Sequence, residues 1–151
     1  MASDTSSAVF RFYTFVVSSR FVVHYTALSF TFVNIRPLLP GRVLVSPIRP
    51  VARLSELVDA EAADLFLIVK RGVRMLERVY KASALVIPLQ DVFDANSQSV
   101  PHVHIHLFPR QPSDGPDAVY IDWRARMETV GNFCLCVNES ASLGLARCLF
   151  P

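Results

Sequence analysis

Cysteine is missing from the first 133 residues, and the three that the chain has, Cys134, Cys136 and Cys148, fall within the last 18. The preceding chain therefore folds without a disulfide framework, and a reducing compartment is its natural setting. Charge is sparse and balanced: 15 basic against 13 acidic residues leave a net charge of +2. No basic run stands out, so composition gives no argument for nucleic acid or a membrane surface as a partner. Long hydrophobic runs are lacking too. The longest apolar stretch free of Lys, Arg, Asp and Glu, Phe21 to Ile35, is broken by His24, Thr26, Ser29 and Asn34, and it falls short of the roughly 20 apolar residues a membrane span needs. Met1-Ala-Ser-Asp4 has no basic region leading into an apolar block, so no secretory leader is expected. The expected location is cytoplasmic, with the nucleus compatible. Arg11, Arg20 and several serines leave a mitochondrial leader as the weaker alternative.

What is present suits one domain of ordinary size: 151 residues, 52% of them hydrophobic. Three segments are expected: a Ser/Thr/Asp-rich arm over 1–7, a folded domain over 8–121 and a divergent tail over 122–151. Val9 to Val17 reads as a strand, and Phe21 to Asn34 as two short strands or one bent one. Leu38-Leu-Pro-Gly41 is a turn signal before a short strand, Val43 to Ser46. A helix is expected from about Ala60 to Tyr80, capped by Asp59, with Glu61 in its first turn. Its apolar stripe reads Ala62, Phe66, Val69, Val73, Leu76 and Tyr80. A shorter helix is expected near Leu54 to Val58. Ala84 to Leu89 and His102 to Phe108 read as strands, the latter closed by Pro109 and Pro112, with a polar loop from Gln90 to Pro101 between them. Strands around one main helix indicate an α+β fold with about five antiparallel strands and two helices.

His102-Val-His-Ile-His-Leu-Phe108 carries the chemistry, since three of the four histidines fall within five residues. In a strand, His102, His104 and His106 share one face, each roughly 6.6 Å from the next, while Val103, Ile105 and Leu107 face a core. Three histidines on one face are hard to explain as filler. A metal site is the sharper rival, because neutral imidazole is a common ligand. In a straight strand, however, the three span roughly 13 Å, too far to hold one ion together, and no further ligands stand out. Nucleophilic catalysis accounts for the cluster better. Neutral imidazole attacks phosphorus without a strong base, and the resulting phosphoramidate is labile to water. A second imidazole can serve the leaving group, and a third can hold the nucleophile's tautomer.

This segment resembles the histidine-triad (HIT) signature, His-x-His-x-His followed by two apolar residues. The wider match is to the fragile-histidine-triad branch, the dinucleoside triphosphate hydrolases, over about residues 8 to 120. It is carried by Phe10-Arg-Phe12, Ser29-Phe-Thr-Phe-Val-Asn34, Pro40-Gly-Arg-Val-Leu-Val-Ser-Pro47, Arg49-Pro-Val51, Ala62-Ala-Asp-Leu-Phe66, Gln90-Asp91, and Gln98 through His106 to Pro109-Arg110. The resemblance implies that His104 is the nucleophile, that His106 contacts the scissile bridge and leaving group, and that His102 supports. It implies that Gln90 binds the phosphate chain and that Ser97, Gln98, Ser99 and Val100 lie on the phosphate cradle. Asn34 is implied to bind the ribose, with Phe32 a wall of the base pocket. It further implies a homodimer, hydrolysis of diadenosine triphosphate to AMP and ADP, no cofactor bound by the protein, and Mg²⁺ or Mn²⁺ entering only with the substrate.

Four departures set this chain apart. Val92 and Asn96-Ser97 stand where the family usually has glycines, and the loop is one residue longer. Glycine permits the positive φ and close approach that a phosphate cradle uses. Arg42 replaces a histidine that often follows the Pro-Gly turn, and the tail is apolar and cysteine-bearing. These keep two alternatives open: a nucleotide-binding or signalling protein with little catalysis, and a phosphoramidase or nucleotide phosphorylase of the same superfamily.

Overall fold

The computed structural model describes residues 9–33, 41–89, 91 and 100–114. The expected arm (1–7) and tail (122–151) lie outside them. Among the described residues, five strands form one antiparallel sheet: β3 (Val22–Tyr25), β4 (Ser29–Val33), β5 (Val43–Pro47), β7 (Ile105–Arg110) and β6 (Ala84–Val86), in that spatial order. A separate hairpin, β1 (Phe10–Phe12) and β2 (Phe15–Val17), stands apart from the sheet. One α-helix, α1 (Asp59–Tyr80), is found among the described residues, and it is not long and apolar enough to cross a membrane. The α+β architecture is as expected.

The central strands are buried on both faces, and period-two alternation divides their side chains. Val43, Val45, Ile105 and Leu107 pack beneath α1 against Leu65, Ile68, Val69 and Leu76. Leu44, Phe30 and Phe32 point the other way and join Phe10, Phe12 and Val17 of the hairpin with Val100. The hairpin thus covers the face that the helix leaves open.

Several boundaries differ from expectation. Val9 to Val17 is two strands, because the chain reverses at Tyr13-Thr14, where Tyr13 takes a left-handed conformation (φ 56°). Phe21 to Asn34 resolves into two strands, β3 and β4. The second helix is a single 3₁₀ turn, Leu54–Glu56. Asp59 is not the cap of α1: Val58 holds the extended cap position, and its N–H donates to Glu61 Oε2 (3.1 Å). The buried stripe is rotated as well. Leu65, Ile68, Val69, Gly72 and Leu76 face the sheet, and Phe66 is 55% exposed. Gly72 explains the rotation. A Cβ there would come within 2.7 Å of Leu107 Cδ1, so the helix meets the sheet on its glycine side. Finally, β6 ends at Val86, with only an isolated bridge at Leu89. β7 begins at Ile105 and continues through Pro109. Pairing with β5 ends at Leu107, so Pro109 lies where only β6 flanks the strand and its missing N–H is tolerated.

Candidate active site

β5 and the histidine segment run antiparallel, with Leu44 opposite His106. Alternation sends Arg42, Leu44 and Ser46 to the site face. Arg42 Nη2 lies 3.0 Å from His106 Nδ1, and Ser46 Oγ lies 3.3 Å from His102 Nε2. The backbone before β7 leaves the sheet ladder: His102 N–H donates to Val100 O (2.8 Å) and Val103 N–H to Val51 O (2.7 Å). His106 N–H then donates to Pro88 O (3.0 Å). All three histidines are buried.

Each imidazole has a partner whose role is fixed, since a main-chain N–H only donates, a carbonyl only accepts and a guanidinium only donates. Those partners assign the ring protons. His102 Nδ1 accepts from Tyr13 N–H (2.8 Å), so the proton sits on Nε2, which faces Pro47 O at 3.1 Å. His104 Nδ1 faces His102 O at 2.7 Å and carries the proton, which leaves a lone pair on Nε2. His106 Nδ1 accepts from Arg42, so its proton is on Nε2. The result is three neutral rings in three fixed tautomers.

Electrostatics favours the same state. Burial pushes the His104 pKa down to about 4, with His102 and Arg42 adding to the effect against the hydrogen bond to His102 O. Burial likewise holds His106 well below its ordinary value, reinforced by Arg42 and His104. His102 is lowered mainly by burial. The rings are packed as well as bonded. Phe12 stacks on His102 (5.3 Å between centroids) and meets His104 edge-on (5.2 Å), while His104 and His106 lie edge-to-face at 4.7 Å.

The structure therefore brings His102, His104 and His106 together as expected. Phe32 is buried against Phe12 (5.2 Å) and Phe30 (5.1 Å) on the site face, and Val100 joins the same cluster. Asn34, Gln90, Ser97, Gln98 and Ser99 lie outside the described residues, as do Val92 and Asn96. Asp91, beside Gln90, accepts from Leu54 N–H (2.8 Å) and lies 3.4 Å from Arg53 Nε, which ties the start of that loop to the 3₁₀ turn. Sequence reasoning missed Phe12, Tyr13, Ser46 and Pro47. Phe12, Ser46 and Pro47 had carried a signal only as parts of Phe10-Arg-Phe12 and Pro40-Gly-Arg-Val-Leu-Val-Ser-Pro47, and Tyr13 had carried none. Among the described residues, no group of three or more His, Cys, Asp or Glu side chains is placed to hold a metal ion.

The HIT domain family model matches residues 16–113. The chain is 42% identical over 120 residues to the bis(5'-nucleosyl)-tetraphosphatase (asymmetrical) of Schizosaccharomyces pombe, covering 78% of this chain and 65% of that protein. It is 43% identical over 114 residues to the bifunctional bis(5'-adenosyl)-triphosphatase/adenylylsulfatase of Arabidopsis thaliana, covering 76% and 62%. It thus spans a little under two thirds of either relative's length. Among solved structures, the Caenorhabditis elegans NitFhit protein superposes with a TM-score of 0.70 at 34% identity, covering 94% of this chain and 31% of that one. The Plasmodium falciparum diadenosine triphosphate hydrolase in complex with Cyclomarin A superposes with 0.69 at 28%, covering 83% and 86%. The motif, the antiparallel sheet beneath one helix and these matches agree: the chain belongs to the HIT domain family and resembles its fragile-histidine-triad branch.

Proposed function

We propose that this chain hydrolyses dinucleoside polyphosphates, diadenosine triphosphate to AMP and ADP in particular, through a nucleotidyl–histidine intermediate on His104. One observation supports this above the rest: the His104 Nδ1–H is held by the His102 carbonyl at 2.7 Å. The Nε2 lone pair is therefore available without a base, and burial keeps it unprotonated at any pH well above about 4.

In the first step the Nε2 lone pair attacks the α-phosphorus, and the bond to the bridging oxygen breaks with its electron pair leaving on ADP. His106, with a proton on Nε2, is the adjacent donor to that oxygen. In the second step water displaces the histidine and releases AMP. His102 touches neither reacting atom. It supplies the carbonyl that orients His104, and Tyr13, Pro47 and Phe12 hold it in place.

The ribose and phosphate roles given to Asn34, Gln90, Ser97, Gln98, Ser99 and Val100, and Phe32 as a base-pocket wall, rest on the family resemblance. So do a homodimeric assembly and a Mg²⁺ or Mn²⁺ ion arriving with the substrate; a cytoplasmic location rests on the cysteine usage instead. The relatives' names support the substrate class, since bis(5'-nucleosyl)-tetraphosphatase, bis(5'-adenosyl)-triphosphatase and diadenosine triphosphate hydrolase all denote a phosphoanhydride joining two nucleosides. The test is turnover of diadenosine triphosphate in ¹⁸O-labelled water. The label is expected in AMP. Label in ADP, or no turnover by folded protein, contradicts the reading.

A further inference from the structure

Arg42 is a buried cation without an acidic partner among the described residues. The residue is only 9% exposed. Its Nη2 donates to His106 Nδ1, its guanidinium carbon lies 4.8 Å from the Phe108 ring centroid, and its Nε meets no hydrogen-bond acceptor among the described residues. Burial lowers its pKa to about 10, so it stays charged at neutral pH. The backbone keeps it there. Gly41 adopts φ +82°, and a Cβ at that position would lie 2.6 Å from the Tyr80 ring and 2.9 Å from Pro109, so the turn that delivers Arg42 to the first position before β5 is fixed.

We propose that Arg42 is a positioning residue that sets leaving-group specificity: it holds His106 as a neutral Nε2–H donor, so the site favours substrates whose leaving group departs as a stable anion. This rests on the hydrolase reading above. The chemistry follows from the tautomer. A neutral imidazole can donate a hydrogen bond, but surrendering its last N–H proton would create an imidazolate. To act as a proton donor, His106 would first have to become an imidazolium. That would place an N–H on Nδ1 against the Arg42 N–H, 3.0 Å away, and a second positive charge beside the first. Among the described residues, the titratable groups facing His106 are Arg42, before β5, and His104, on its own segment. Both disfavour the charged ring, and Phe108 carries no charge.

Electron bookkeeping then separates substrate classes. When His104 Nε2 forms its bond to phosphorus, the electron pair of the breaking bond stays with the leaving atom. The terminal oxygen of a nucleoside diphosphate accepts that pair as a stable phosphate anion, and a hydrogen bond from His106 is sufficient help. A phenolate of high basicity, or an amine leaving from a P–N bond, needs a proton that His106 does not release. Arg42 thereby biases the site toward anhydrides and away from phosphoramidates and unactivated esters.

The experiment compares kcat/KM for the p-nitrophenyl and phenyl esters of AMP in the wild type, Arg42→Met and Arg42→Lys, with KM and kcat separated. The wild type is expected to prefer the nitrophenyl ester steeply. Arg42→Met, which frees His106 to protonate, is expected to narrow that preference by about tenfold or more, within the range that a proton donor contributes. Arg42→Lys, which keeps a charged donor, is expected to retain the wild-type ratio. An unchanged ratio in folded Arg42→Met overturns the proposal. A second measurement needs neither a variant nor turnover: ¹⁵N spectra of the ring nitrogens in the nucleotide-free wild type. His106 is expected as the neutral Nε2–H form from about pH 6 to 8, where an ordinary histidine titrates. A protonated ring or an Nδ1–H form overturns the proposal. A wild type that turns over no anhydride or ester counts against the hydrolase reading instead, and the ring spectra still decide the role of Arg42.

Discussion

The two faces of the sheet are made from alternate residues of the same strands, and they do opposite work. Toward α1, Val43, Val45, Ile105 and Leu107 meet Leu65, Ile68, Val69 and Leu76 in an apolar layer. Toward the hairpin, Arg42, Ser46, His102, His104 and His106 form a buried polar layer roofed by Phe12. The apolar layer needs only volume and shape, so it tolerates exchange among hydrophobic residues. In the polar layer each ring carries its one proton on a defined nitrogen, and exchanging one member alters the roles of the others. One step along a strand therefore separates stability from chemistry, and substitutions on the two faces should fail in different ways.

The sharpest contrast is between neighbours on β7 and its approach. On the site face, His104→Asn should lower kcat by at least about 10⁴-fold, the scale of losing a nucleophile, while leaving thermal stability near wild type. Parallel kcat and melting measurements check this, and near-normal turnover in a folded variant would break the division of labour. On the helix face, Leu107→Ala should cost about 2–5 kcal/mol by opening a cavity beneath Gly72, with KM unchanged at a temperature where the protein stays folded. Denaturant titration measures the loss.

Acid should expose the difference between the faces without any mutation. The folded His104 holds its proton more weakly than an unfolded histidine, so between about pH 6.5 and 4 the unfolded chain binds the extra proton. Stability from this residue is complete above about pH 6.5 and is lost as pH falls toward 4. The loss amounts to about 3 kcal/mol for this ring alone, and His102 and His106 shift in the same direction. Unfolding free energies across that range should fall steeply in the wild type and less steeply in His104→Asn. The smallest effect is expected at the helix start, where Glu61 accepts from Val58 N–H (3.1 Å) and from Arg49 (2.7 and 2.6 Å). Glu61→Gln should cost about 1 kcal/mol, since the Arg49 side chain is half exposed and the pair is screened, with activity unchanged.

The polar layer was partly readable in the sequence, for a physical reason. Three histidines at period two announce themselves locally, and so does the core placement of Val103, Ile105 and Leu107. The partners that make those rings functional are remote. Tyr13 lies 89 residues from His102 and Arg42 lies 64 from His106, and neither periodicity nor spacing connects them. Arg42 stood out only as a departure from a family pattern, and its contact gives that departure a role. The apolar layer shows the converse. Its strands were found with small errors at their ends, but the helix stripe was read one position off, through Phe66 rather than Leu65. Counting apolar residues ignored Gly72, whose missing side chain sets which way the helix faces. The start of β7 was misplaced because His102 and Val103 bond to Val100 and Val51 rather than to a strand, which the alternating pattern cannot distinguish.

The central claim is that His104 Nε2, freed by the His102 carbonyl, forms the bond to phosphorus. The most direct measurement is a millisecond mix of protein with diadenosine triphosphate, quenched in alkaline denaturant to preserve a phosphoramidate and followed by peptide mass analysis. The account predicts that the peptide bearing residues 102–106 gains the mass of one AMP, localised to His104, and that His104→Asn shows no such gain. Turnover with the adduct on His102 or His106 would contradict it, as would turnover with no adduct at all in a wild type whose AMP product carries oxygen from water.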